Sequence, residues 1–421
     1  MKKYGLIVVV GGLTGVAAAI SAARQGVSTL LIEESGSLGG AISNNLVFPF
    51  MSYRTKVNDD PIEYRLLSSG IISELLEYQR SLASEKYDGS LLFFMTEYFK
   101  CALDTKLLES GAELLLHTKL CGVRTENGKV TAVTVATKSG LTDISADFFI
   151  DATGDGDLFA FAGCDYQLGR EKDNLCQPMT TCFRLCNVDN EAYKGEKAKI
   201  QELYKQFRAE NKIDNPRENI LLFYMRDGIF NFNSTRVVKL DPTNPADLTK
   251  AEVKAREQML ELVDFLRNNT VAFKNSVLIS SAASIGVRES RKLKGEHILT
   301  AEELKNCTKF EDSIALGNYD IDIHNPEGSG TSHYLFKDGQ YYTIPYRSLL
   351  PKEYDNLLVA GRCISATHEA QASIRIMPIC CCLGQAAGTA AAVAFKTNKT
   401  AKTVDVEAVR EKLRKDGAQV D

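Results

Sequence analysis

The sequence predicts an α/β protein: one discontinuous domain built on a parallel sheet, with an inserted α+β domain whose sheet is mainly antiparallel. Three stretches lead to this. Leu6 to Glu34 reads as strand, tight turn, helix, strand. Phe149 to Asp157 is a buried strand running into a turn rich in glycine and acids. Asn356 to Phe395 reads as a short strand, Gly361-Arg362, a polar stretch and then a long helix of small residues. Unbroken apolar runs such as Leu6 to Val10 suit parallel strands buried on both faces.

In chain order, Gly11, Gly12 and Gly15 turn the first strand into a helix rich in alanine, and Gly26 ends it. Val27 to Ile32 is the second strand, with Glu33 at its end. This is the dinucleotide βαβ pattern of a Rossmann-like unit. Glycines admit a pyrophosphate to the backbone, a helix N-terminus offers free N–H groups, and an acid about 20 residues on meets a ribose hydroxyl. The first of the three glycine positions is Val10. Either the turn tolerates valine or dinucleotide affinity is reduced. Gly39-Gly40 offers a second close approach of backbone to ligand.

Asn44 to Phe50 reads as loop, and Pro61 to Ser81 as helix with Pro61 in its first turn. Leu91 to Gly111 fits an amphipathic helix, and Glu113 to Thr118 a strand. Gly122 to Thr137 forms a hairpin about Asn127-Gly128, and Asp143 to Phe148 a returning strand. Cys164 to Asn187 and Leu221 to Asn233 are strand-rich, Glu191 to Asn211 is helical, and Pro242 to Asn268 contains a helix begun by Asp247 to Lys250 and running to Leu266. Phe310 to Tyr346 reads as loop-rich, Ser365 to Met377 as a polar connection, and Pro378 as the start of the last long helix.

The chain of 421 residues is 44% apolar and 25% charged, with a net charge of −4. That balance gives no electrostatic footprint for nucleic acid. No apolar run reaches the ~18 residues of a membrane span. Lys2-Lys3 before an apolar run superficially resembles a signal peptide, but the βαβ unit accounts for it. Eleven cysteines without a disulfide-like rhythm point to a reduced, cytoplasmic protein.

VGGLTG…LLIEESGSLGG, FFIDATGDGDLFAFAG and NLLVAGRCISATHEAQASIRIMPICCCLGQAAGTAAA occur in this order. With QPMTTCFRL, IGVRESRKLKGEHILT and YYTIPYRSLLP they resemble the FAD-dependent oxidoreductase family of glutathione-reductase-like two-domain flavoproteins, over nearly the whole chain. The resemblance implies an FAD-binding domain of residues 1–47, 89–165 and 347–421, with a substrate domain of 48–88 and 166–346 inserted. It implies cofactor contacts at Gly11, Gly12 and Gly15 (pyrophosphate), Glu33 (ribose), and Gly39 and Gly40 (pyrophosphate or ribityl chain). Ala152, Thr153 and Gly154 form the second signature. Gly361, Arg362 and the helix start at Pro378 would lie by the ribityl chain and flavin ring.

Candidates for chemistry follow. Arg375 could clamp an anionic substrate or form a structural salt bridge. His368 could exchange a proton near neutral pH, or be held by Glu369 or backbone. Arg288, Glu289 and Arg291 could wall a substrate pocket or tie the domains together as ion pairs. Asp320, Asp322, His324 and His333 form a loop, with substrate lining favoured over metal. No metal is expected. Tyr342 and Tyr346 pack or offer hydroxyls, Cys380, Cys381 and Cys382 pack on a helix, and His117 and His297 are structural. A Cys182–Cys186 redox pair is disfavoured by its spacing.

The leading expectation is an FAD enzyme exchanging hydride between a small molecule and flavin N5. His368 would serve proton transfer and Arg375 anchoring. Electrons would come from the substrate, a quinone, a carrier protein or free NAD(P)H, since no second G-x-G-x-x-G is present. The alternatives are an NAD-dependent dehydrogenase using the N-terminal unit alone, or a non-catalytic partner protein that has lost tight FAD binding.

Overall fold

The computed structural model describes residues 3–83 and 94–421. The start of the helix expected from Leu91, the boundary expected at 88/89 and Lys2 lie outside the described residues. Within them, seven strands form the main sheet, in the spatial order Glu113–Leu115, Thr29–Ile32, Tyr4–Val9, Gly140–Asp151, Lys129–Thr137, Lys119–Glu126, with Leu357–Val359 also pairing to Gly140–Asp151.

The register explains how distant motifs meet. Val9 lies opposite Ile32 and opposite Asp151, and Asp151 opposite Val359, all in parallel pairs. The residues that follow (Val10, Glu33, Ala152 and Ala360) therefore leave the sheet at one edge, the carboxyl end where open α/β sheets bind ligands. The returning strand and the buried run after it are one twelve-residue strand, Gly140–Asp151. Its first half is largely exposed and pairs antiparallel with Lys129–Thr137, while its last residues are buried between parallel neighbours.

The alanine-rich helix Leu13–Arg24 packs on the long helix Met377–Lys396. A Cβ on Gly384 would come within 2.0 Å of the Thr14 carbonyl oxygen, and one on Gly388 within 2.1 Å of that of Ala18. The two glycines, one turn apart, let the backbones touch. Ser21 and Thr389 share a 2.7 Å hydroxyl hydrogen bond at the same contact. Met377–Lys396 is apolar and long enough to cross a membrane by length and composition, but 89% of its apolar window is buried in the protein, as for a core helix.

A second sheet, Leu222–Arg226, Ile229–Phe232, Phe183–Cys186 and Val277–Ser281, is antiparallel throughout. Its apolar face (Phe183, Phe230, Phe232) meets helices Asn190–Ala209 and Pro245–Asn269 in a core separate from the main one. Both helices are capped as their sequences direct: the Asp189 carboxylate accepts from Ala192 N, and the Asn244 side chain from Ala246 N.

Three expectations are corrected, and one element is added. Pro61 to Ser81 is not one helix. Arg54–Asp59 and Ile62–Leu66 form a hairpin with Pro61 at its turn, and the helix is Ile71–Ala83. The alternation Ile62-Glu63-Tyr64-Arg65-Leu66 has the period of a strand, and Gly70, at a φ of 80°, separates it from the helix. Phe310 to Tyr346 holds two short antiparallel pairs, Ser313–Gly317 with Tyr342–Pro345 and Ile321–His324 with Thr331–Tyr334. The polar stretch before Met377 contains the buried helix His368–Ile374, capped by Thr367. Val406–Lys415 is a further helix, capped by Asp405.

Candidate active site

At the carboxyl edge of the main sheet lies a groove of about 330 Å³, lined among others by Gly12, Glu33, Gly40, Thr153, Gly154 and Gly361. Gly12 begins helix Leu13–Arg24 with no side-chain cap, and nothing lies within 4 Å of a Cβ built there. The first turn of that helix, Leu13 and Thr14, borders the groove with no side chain capping its N–H groups. Gly39 N donates to Gly11 O at 2.8 Å, which brings Gly39 and Gly40 across the turn. At Gly154, φ is 75° and a Cβ would meet the Arg362 guanidinium at 2.4 Å. Arg362 Nη2 donates to Asp155 Oδ1 at 2.7 Å. The helix Met377–Lys396 also starts here without a side-chain cap, presenting Met377 and Cys380 to the groove.

Val10 keeps the turn that glycine would make, at a φ of 76°. A β-branched residue in this left-handed region is strained. Glu33, at the end of the second strand, accepts from Gly11 N at 2.7 Å and Ser35 N at 2.8 Å and still borders the groove. Each of its oxygens keeps a lone pair for another donor. Gly11, Gly15 and Pro378 stand behind the wall instead of on it. Gly11 packs against Leu38, and a Cβ on Gly15 would sit 1.9 Å from the Val10 carbonyl oxygen.

The groove opens into a cavity of about 770 Å³. Ala41, Asn45, Val287, Arg362, Arg375 and Met377 border both. Arg375 Nη2 lies 3.3 Å from Asp322 O and 3.4 Å from Asp322 Oδ2, and its Nε has no partner among the described residues. Arg288 donates to Pro178 O and Thr180 Oγ1, both at 2.6 Å, and to Asn233 Oδ1 at 3.2 Å. Burial first, and then the nearby Arg375, Arg217 and Arg236, push its guanidinium down to about 9, so it stays charged at neutral pH.

Arg236 Nη2 lies 2.9 Å from His324 Nδ1. A guanidinium can only donate, so Nδ1 accepts and the ring proton sits on Nε2, 3.4 Å from Asp322 Oδ2. Burial and the neighbouring Arg288 push His324 down to about 3, so the ring is neutral. Burial opposes ionisation of Asp322, but its bonds to His324 and Tyr319 and the charge of Arg375 hold it below the usual carboxylate range. An arginine on the ring nitrogen leaves no room there for a metal, and no set of three metal-ligating side chains occurs among the described residues.

His368 is not brought to the groove. It lies at a different cavity with Arg170 and Lys172, and its Nδ1 is 2.8 Å from the buried Glu289 carboxylate. Its partner is Glu289 and not Glu369. Glu289 also accepts from Lys292 Nζ at 2.6 Å and Gln177 N at 3.0 Å, which makes it the centre of a buried charged cluster. Arg291 goes to Asp157, at 2.8 Å. Tyr342 bonds Ser373 and Tyr346 bonds the Ala401 carbonyl, both buried. Sequence reasoning missed Arg217, Asn233 and Arg236, which lie in unpatterned segments and carry no motif.

A family model described as FAD dependent oxidoreductase matches residues 5–413. The chain belongs to that family. It is therefore an FAD-binding oxidoreductase, and the match takes in all three segments that form the groove. The residues fit the cofactor: two uncapped helix starts and an empty cradle over Gly12 suit a pyrophosphate. No curated protein sequence matches. Among solved structures, the chain is similar to a geranylgeranyl bacteriochlorophyll reductase-like protein from Thermoplasma acidophilum (15% identity, 99% of this chain and 84% of that chain, TM-score 0.49). It is also similar to L-proline dehydrogenase from P. horikoshii (13%, 99% and 99%, 0.46) and to the flavin-dependent brominase Bmp2 (12%, 98% and 83%, 0.47).

Proposed function

We propose that this oxidoreductase exchanges hydride between a small organic molecule in the larger cavity and N5 of FAD bound in the groove. The continuity of groove and cavity at the start of helix Met377–Lys396 carries this reading. FAD supplies a two-electron centre; the chain supplies position, charge and exclusion of water.

Gly12, Gly39 and Gly40, with the first turn of Leu13–Arg24, hold the pyrophosphate, and Glu33 takes the ribose. Ala152, Thr153, Gly154 and Gly361 floor the groove beside the ribityl chain. Arg362 and the uncapped start of Met377–Lys396 place positive potential where negative charge develops on reduction, an effect of about 0.3–1 kcal/mol for the helix at an exposed site. Gly11, Gly15 and Pro378 serve the cofactor by shaping the backbone. Arg375 and Arg288 face the substrate. His368, tied to Glu289 away from the groove, supports the wall and moves no proton in the reaction. The division into an FAD-binding part (1–47, 89–165, 347–421) and a substrate part (48–88, 166–346) and a cytoplasmic setting belong to the same proposal. In that setting, all eleven cysteines are unpaired.

The test is spectroscopic. Protein reconstituted with FAD should show flavin absorption and bleach without oxygen in the presence of a substrate from a screened panel. Arg375→Met should keep the flavin and raise KM far more than it lowers kcat. A variant whose KM is unchanged, or a chain that takes up no FAD, overturns the assignment.

A further inference from the structure

Four arginines line the larger cavity: Arg217, Arg288, Arg362 and Arg375. Two of them have carboxylates. Arg362 pairs with Asp155 at 2.7 Å and Arg375 with Asp322 at 3.4 Å. The other two do not. Arg288 donates only to neutral oxygens, of Pro178, Thr180 and Asn233. Arg217 is 6% exposed, and its Nε and Nη1 are buried without any partner among the described residues. The nearest acid in sequence, Glu218, is engaged elsewhere, on Gly330 N and Arg236. A buried guanidinium without acceptors is costly, and buried charges are ordinarily paired.

We propose that the substrate carries a carboxylate, and that Arg217 with Arg288 binds it in this cavity. The inference rests on the reading of the cavity as the substrate site. The incoming anion supplies the missing acceptors and sets a negative charge between two guanidinium groups; guanidinium and carboxylate match in plane and donor spacing. The lining also includes the apolar Val47, Met51, Leu221 and Phe223. That combination suits an organic skeleton with one anionic end and does not suit a bare inorganic ion. Burial and then repulsion from Arg236 lower the Arg217 guanidinium from its ordinary value, which an anion would reverse.

The test uses the FAD-loaded protein and two readouts that need no turnover: the thermal midpoint and perturbation of the flavin absorption band. Acetate, succinate and benzoate are titrated against their amides and against inorganic phosphate. At least one carboxylate should raise the midpoint and shift the band, and its amide should do neither. Arg217→Gln should retain FAD and weaken that carboxylate roughly 30-fold or more, and Arg217→Lys should fall between. Binding of no carboxylate, equal binding of the amide, preference for phosphate, or unchanged affinity in both variants overturns the proposal. If Arg217→Gln fails to fold, Arg217→Lys decides: wild-type affinity in it counts against the assignment. Loss of FAD from the wild type would sink the oxidoreductase reading itself; FAD retained with no carboxylate bound overturns only this inference.

Discussion

The groove and the cavity it opens into are made of different materials. The groove owes much of its wall to backbone: Gly12, Gly39, Gly40, Gly154 and Gly361 come from turns at the carboxyl edge of one parallel sheet, joined by a few side chains such as Glu33 and Arg362. The cavity is side chains: Arg217, Arg288, Asn233, Tyr319 and Arg375 come from loops and short strands far apart in the chain. A surface of backbone fits any molecule with the right phosphates and cannot drift without breaking the fold. A surface of side chains sets the identity of the occupant and can change residue by residue. Cofactor binding should therefore fail together with stability, and substrate binding should fail alone.

The sharpest break in this contrast lies at Glu289, whose neighbour Arg288 faces the cavity. The Glu289 carboxylate is fully buried and holds both His368 and Lys292. Glu289→Ala leaves the buried Lys292 without its anion and His368 without its partner and should cost about 3–5 kcal/mol, read by denaturant unfolding. A cost under about 1 kcal/mol would mean that this network does not hold the wall. Burial alone would raise the Glu289 pKa, but His368 and Lys292 hold it below its ordinary 4.5. The unfolded chain then binds the proton first. The stabilisation is complete above pH about 4.5 and is lost as pH falls through the folded value. Glu289→Gln should flatten that acid limb of the stability curve.

The next effect is expected in the groove. Gly15→Val would drive a side chain into the Val10 carbonyl, which is backbone and cannot swing aside. A loss of about 1–3 kcal/mol is expected, with flavin colour lost through purification. If stability falls but FAD stays, turn and cofactor are less coupled than the contrast requires.

The smallest effect is at Val10. Val10→Gly relieves a left-handed valine but adds freedom to the unfolded chain. The net gain should be at most about 1 kcal/mol, with FAD retained at least as well as in the wild type. Weaker FAD retention would show that the valine side chain itself helps to hold the cofactor.

What the sequence made legible follows the same division. The Gly12–Glu33 unit, Ala152–Gly154 and Gly361-Arg362 are each contiguous, so their chemistry stands in consecutive letters. That the cofactor is FAD followed from their order. Arg217 and Arg236 were invisible because their meaning arises only when Ile321–His324 and Thr331–Tyr334 fold beside them. His368 was expected at the flavin because it stands seven residues before Arg375, and its partner Glu289 lies in a distant segment that gave no sign of the pairing. Pro61 misled for a local reason: a short exposed hairpin and a helix start share proline near an apolar residue, and only the alternation after Ile62 separates them.

The contact of Gly384 and Gly388 with Thr14 and Ala18 has a further consequence. The two helices whose uncapped starts border the groove, Leu13–Arg24 and Met377–Lys396, touch backbone to backbone. The spacing between the two uncapped starts is then a fixed gauge, set by a buried helix–helix contact that runs from the groove wall at Thr14 back to Ala18. Under the proposed binding mode, a cofactor would be measured against that length. Lengthening the gauge, as by Gly388→Ala, should discriminate between FAD and shorter flavins such as FMN without altering a single residue that touches either.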